Sequence, residues 1–156
     1  MKFTIQKGDI QEVLSKIQGL TSRKSNLAIT ENVLIKAADN GITLMATDLE
    51  TGLEGTYPAK VDNAGSIAIS ARKFFEIVRE FPSADINVNE VDNRWIEIGD
   101  QEIQYHIVGM YPDEFPDNPD ISDVAFFEIE SAPFKRMIEK SIIISGTSED
   151  KRAHIN

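Results

Sequence analysis

His106 and His154 are the only imidazoles in the 156-residue chain, and no third histidine completes a ligand set. His106 alternates with Tyr105 and Ile107 in an extended pattern, which suits a strand residue at a surface or an interface better than a metal ligand. Asp113, Asp117, Asp120 and Asp123 could offer hard oxygen ligands to calcium. They lack the Asp-x-Asp-x-Asp-Gly spacing of a calcium loop, and the loop that holds them contains three prolines, Pro112, Pro116 and Pro119. Asp48 and Glu50 stand two apart, as paired acid–base carboxylates can, but their setting reads as a turn at a strand end. Cysteine is absent, which removes disulfides, thiolate metal sites, iron–sulfur clusters and cysteine nucleophiles. No Gly-rich phosphate loop, Ser-His-Asp set or His-Glu-x-x-His occurs. These residues predict a protein that is not an enzyme and holds no cofactor and no metal.

The cations carry more information. Formal net charge is −10, which at first argues against a nucleic-acid partner. The helical windows 7–24, 71–82 and 132–156 nevertheless hold 12 basic and 7 acidic residues, against 4 basic and 19 acidic elsewhere. Arg23, Lys24, Arg72, Arg79 and Arg152 belong to the basic set. Helices are therefore expected to be basic, and sheets and loops acidic. Gathered on one face, such helices attract phosphate while the acidic exterior repels stray anions. No aromatic side chain is expected among these cations to stack on bases, which favours the backbone of a duplex over a single strand. The competing reading is an acidic protein-interaction module with no DNA role, whose basic helices hold a carboxylate-rich partner.

The elements that would position these groups recur. Phe3-x-Ile5 alternates like a strand, and Ile10, Val13, Leu14 and Ile17 follow at helical spacing. Sixty-four residues on, Ile67, Ile69, Phe74, Ile77, Val78 and Phe81 repeat the pattern. It returns at Phe127, Ile129, Phe134, Met137 and Ile138. Strands are expected at 32–38, 42–47 and 52–58 after the first helix (9–18), and at 85–89, 95–98 and 103–108 after the second (71–81). Asp39-Asn40-Gly41 predicts a type I′ hairpin. Ser70 is placed to cap the second helix, Pro82 follows its end, and Ser131 with Pro133 opens a third. Each half thus reads as strand–helix–three strands, giving two four-stranded sheets with the two helices side by side. Residues 109–125, rich in Pro and acids, read as a linker. The organisation expected is one domain over 1–124 and the opening of a second over 125–156. No apolar run approaches the roughly 20 residues that span a bilayer, and the start turns polar too early for a signal peptide. No membrane partner is expected, and the absence of cysteine suits a cytoplasmic setting.

Several stretches carry a resemblance: Met1-Lys2-Phe3-Thr4, Ala46-Thr47-Asp48-Leu49-Glu50, Ala71-Arg72-Lys73-Phe74-Phe75-Glu76-Ile77, Asp113-Glu114-Phe115-Pro116, Phe134-Lys135-Arg136-Met137-Ile138-Glu139 and Arg152-Ala153-His154-Ile155-Asn156. With them the chain resembles the bacterial DNA polymerase III beta subunit, the processivity sliding clamp. The resemblance implies an α+β DNA-clamp fold with helices on one face of antiparallel sheets. It also implies a head-to-tail homodimer ring that slides on duplex DNA without sequence preference. Its partners would be double-stranded DNA, the replicative polymerase and the clamp loader. By the same resemblance Lys24, Arg72, Arg79 and Glu149 fall at DNA-facing positions, with Arg23 and Arg152 beside them. Ala153 and His154 match an aromatic pair that packs on DNA in some relatives, so the departure from aromatics weakens that contact here. Ile155 matches the edge of the pocket for polymerase and loader peptides. Tyr105, His106 and Val108 lie on the strand expected at the subunit interface.

Overall fold

Alternation makes Phe3 and Ile5 the buried side of a short strand, and the switch to apolar residues every third or fourth position coils the next segment into a helix. These are β1 (Lys2–Gln6) and α1 (Lys7–Thr21) of a computed structural model that describes residues 1–21, 28–39, 41–116 and 125–142. The same switch later produces β6 (Gly65–Ser70) and α2 (Ala71–Glu80). Between and after them run β2 (Asn32–Ala38), β3 (Gly41–Thr47), β4 (Gly52–Pro58), β5 (Lys60–Asn63), β7 (Asp85–Glu90), β8 (Trp95–Gly99) and β9 (Gln104–Val108). The chain divides into two compact units, Met1–Asn118 and Pro119–Asn156.

In the first unit the repeats exchange strands. The sheets run in the orders β5-β1-β7-β8-β9 and β4-β3-β2-β6. β1 leaves its own half to pair antiparallel with β7, Thr4 opposite Asn87, and β6 crosses back to pair with β2, Ile67 opposite Ile35. Each helix is the crossover that makes this exchange. The two helices pack against each other, α1 also reaching β1, β3 and β4, and α2 reaching β2 and β6. Ile10, Val13, Leu14 and Ile17 share one core with Phe74, Val78 and Phe81, while Ile77 packs half-buried at its rim. Burial of each of these large side chains contributes about 1.5–3 kcal/mol.

Local chemistry sets the element ends. Ser70 caps α2 by accepting the Lys73 N–H at 3.4 Å, and Phe81, extended at φ −64° and ψ 130°, closes it ahead of Pro82. Ala38 pairs with Gly41, leaving a two-residue hairpin loop in which Asp39 takes φ 50°; Asn40 lies outside the described residues.

Four expectations are corrected. One sheet has five strands, because β5 joins the edge beside β1 with Val61 opposite Phe3. Lys60-Val61-Asp62-Asn63 holds a single apolar residue, so no alternation announces it. The last strand begins at Gln104 because the Asp100 carboxylate accepts the N–H groups of Glu102 (2.9 Å) and Ile103 (2.8 Å) and bends the chain there. Residues 109–116 are packed structure and not linker. Met110 exchanges two backbone hydrogen bonds with Ala68, and Phe115 is buried with Leu34, Met45 and Ala68 against the outer side of the four-stranded sheet. Finally, Phe127 and Ile129 form no strand, since the extended run before α3 (Ser131–Ile142) has no paired neighbour among the described residues. Within the second unit Phe134, Met137 and Ile138 of α3 are exposed.

Candidate nucleic-acid interface

The apolar stripe of α2 fixes what its other side presents. With Ala71, Phe74 and Val78 buried, Arg72, Lys73, Glu76, Arg79 and Glu80 are left in solvent. Arg72 and Arg79, two turns apart, share the exposed face. Each is engaged by a carboxylate: Arg72 Nε donates to Glu76 Oε1 at 3.0 Å, and Arg79 Nε to Glu80 Oε1 at 2.8 Å. Exposed pairs of this kind contribute about 0–1 kcal/mol, so exchanging a carboxylate for a phosphate costs little. The Arg79 guanidinium also lies 5.7 Å from the centre of the Phe75 ring. This corrects the expectation that no aromatic accompanies the cations, although the ring serves an arginine and not a base.

α1 is less basic than its sequence window suggests. It carries two cations and two anions. Lys16 Nζ donates to Glu12 Oε1 at 2.8 Å; this bond and the attraction between the charges lower the Glu12 carboxyl and raise the Lys16 ammonium. Lys7 turns away from any open face, and its ammonium donates to the carbonyls of Arg79 and Phe81 at the end of α2. The basic excess of the first unit's helical windows therefore rests on α2 and on Arg23 and Lys24, which lie outside the described residues. Arg152, Glu149, Ala153, His154 and Ile155 lie outside them as well. Between the end of α1 and the start of α2 opens a cleft of about 530 Å³, lined by Gln18, Thr21, Glu31, Ser70, Arg72, Lys73 and Glu76. The Gln18 amide nitrogen is buried there with no hydrogen-bond partner among the described residues.

β9 forms the far edge of the five-stranded sheet. Ile107 faces the core and Tyr105 is partly covered on the same side, while His106 and Val108 face outward. His106 Nε2 stands 3.3 Å from Glu97 Oε1, and Val108 lies opposite Trp95. A groove of about 330 Å³ separates β9 from α2, lined by Lys73, Glu76, Ile77, Glu80, Tyr105, His106 and Ile107. The structure thus brings Arg72 and Arg79 together on one helix, and Tyr105, His106 and Val108 together on one edge. Ile77 was legible as a position of the apolar repeat, but its part in the groove, and that of Lys73, was not.

Of the carboxylates considered for chemistry, Asp48 has a structural role. Asp48 accepts the N–H groups of Glu50 (3.1 Å) and Thr51 (2.7 Å), a tight turn between β3 and β4. Asp100 is held below the usual carboxylate range by hydrogen bonds from the Ile103 and Glu102 backbone and the Ser83 hydroxyl. Asp113 sits in a short 3₁₀ turn; Asp117, Asp120 and Asp123 lie outside the described residues.

Comparison with known proteins adds a family. The model of the DNA polymerase III beta subunit, N-terminal domain, matches residues 1–119. A beta sliding clamp of Bacillus subtilis is 28% identical over 160 residues, covering 97% of this chain and 42% of that protein. One from Chlamydia muridarum is 25% identical over 151 residues, with 97% and 41% covered. The crystal structure of the DNA polymerase sliding clamp from Bacillus subtilis superposes with a TM-score of 0.87 at 26% identity, over 97% of this chain and 42% of that one. The chain spans about two-fifths of the length of these relatives.

Proposed function

The chain belongs to the DNA polymerase III beta subunit family, and from that membership we propose that it acts as the N-terminal part of a processivity clamp. In the complete protein, a homodimeric ring encircles duplex DNA, slides without sequence preference and tethers the replicative polymerase after a clamp loader opens it. The ring performs no chemistry and works in the cytoplasm. Residues 1–124 form the first domain, and 125–156 open the second. Arg72 and Arg79, with Arg23, Lys24, Arg152 and a weaker contribution from Glu149, Ala153 and His154, face the DNA. Ile155 edges the peptide pocket, and Tyr105, His106 and Val108 lie at the subunit contact.

The observation that carries this reading is the pairing of α1 and α2 side by side, with the two arginines on the exposed face of α2. Their loose carboxylate partners suit a polyanion that arrives as a continuous backbone. In a full-length ring, Arg72→Ala should weaken duplex affinity and lower the salt slope by about 1, with base preference unchanged. A changed base preference with an intact salt slope would mean that the backbone is not what Arg72 touches. The internal pairing of Arg72 with Glu76 and Arg79 with Glu80 keeps a second reading open, an acidic protein-interaction module. That module would show no salt-dependent duplex binding at all.

A further inference from the structure

The arginines of α2 are held in two geometries. Arg72 and Glu76 stand four residues apart, so one helical turn brings the carboxylate beside the guanidinium, Nε to Oε1 at 3.0 Å. Among the described residues this carboxylate takes only the Nε–H. The Arg72 side chain is 79% exposed, so the terminal nitrogens of its planar fork remain open to a second acceptor. Arg79 and Glu80 are neighbours in sequence and leave the helix about 100° apart, so they meet only by bending sideways around it. The Arg79 guanidinium also lies over the Phe75 ring, a contact that no anion need displace. Glu76 is thus the better-placed competitor. It faces its arginine along the helix, whereas side chains at i and i+1 do not face each other.

A phosphate reaching Arg72 therefore meets a guanidinium already engaged on one side. Phosphate and carboxylate repel each other across it, so contact with one loosens contact with the other. When the phosphate moves on, Glu76 re-pairs the arginine at once, and the guanidinium is not left without an anion. That exchange lowers the cost of leaving each phosphate, which a bare arginine would bear in full. On the reading of α2 as a DNA-facing helix, we infer that Glu76 is an internal competitor of DNA phosphate for Arg72. It shortens each phosphate contact and so keeps the ring mobile on the duplex. A sliding ring needs enough attraction to stay on the backbone and too little to stop there, and this carboxylate sets that balance at Arg72.

The test uses the full-length ring and two readouts: affinity for a short linear duplex at several salt concentrations, and diffusion of loaded rings along stretched duplex DNA. Glu76→Gln should bind the duplex about fivefold more tightly and diffuse about threefold more slowly. Glu80→Gln should change each by less than about twofold. In an Arg72→Ala background, Glu76→Gln should change neither, because there is no guanidinium left to compete for. These side chains are exposed, and circular dichroism and sedimentation check that each variant is still a folded ring. Unchanged affinity and diffusion in Glu76→Gln overturn the inference while leaving the DNA reading intact. So does equal tightening with and without Arg72, which would make Glu76 a general repulsive charge, or an effect of Glu80→Gln as large as that of Glu76→Gln. A ring with no salt-dependent duplex binding removes the DNA reading, and the inference with it.

Discussion

The Lys7 ammonium closes the C-terminal end of α2, 3.0 Å from the Arg79 carbonyl and 2.5 Å from that of Phe81. Those carbonyls have no intrahelical donors, and the helix dipole leaves partial negative charge there, so a cation satisfies both needs at once. Lys7→Met keeps the aliphatic stem and removes the donors. It should cost about 1–2 kcal/mol in urea unfolding, whereas Lys16→Met, which loses only an exposed pair, should leave the unfolding midpoint nearly unchanged. Equal losses would show that the cap contributes nothing. The sequence marks Lys7 only as one more basic residue of a helical window, because its partners lie more than seventy residues away. Phe74, by contrast, was legible as core from its own neighbours, since helical periodicity is a local signal. The same limit applies to Arg79, whose spacing from Arg72 could be read directly while its contacts with Glu80 and Phe75 could not.

At the scale of elements, the helices and eight of the nine strands of the first unit follow from hydrophobic period, and β5 does not, because an edge strand that half-buries one side chain has no period to show. The partners of β1 and β6 were equally hidden. Two halves of like pattern can each keep their own first strand or trade it, and period does not distinguish the two. Residues 109–116 misled for a related reason: proline and acids signal a break in regular structure, not exposure, and Phe115 sits buried among them. The turn from β8 to β9 is constrained where it leaves β8. Gly99 has φ 155°, and a Cβ built on it would fall 2.0 Å from the Ile103 carbonyl oxygen. Gly99→Ala should therefore cost roughly 1–3 kcal/mol. The loss should appear first as faster amide exchange in β9; uniform loss across both sheets would place the strain elsewhere.

For the whole molecule, charge placement decides what a single chain can do. Among the described residues the first unit exposes few cations beyond α2 and Lys16, and screening over about 8 Å at physiological salt leaves an open basic face little reach. The 156-residue chain alone should elute apart from circular duplex DNA in gel filtration. Co-elution with circles that is lost on linearisation would show instead that it closes around DNA by itself. The strand exchange has a further consequence during synthesis. β1 leaves the ribosome first, yet Thr4 awaits Asn87, about 80 residues behind it. At translation rates of about 5–20 residues per second, that is a delay of roughly 4–16 s. The four-stranded sheet, completed once β6 emerges, can form within that interval, while the five-stranded one cannot. The vectorial order of birth thus makes the half encoded in the middle the template, while the N-terminal strand, made first, waits for β7 to complete its pairing.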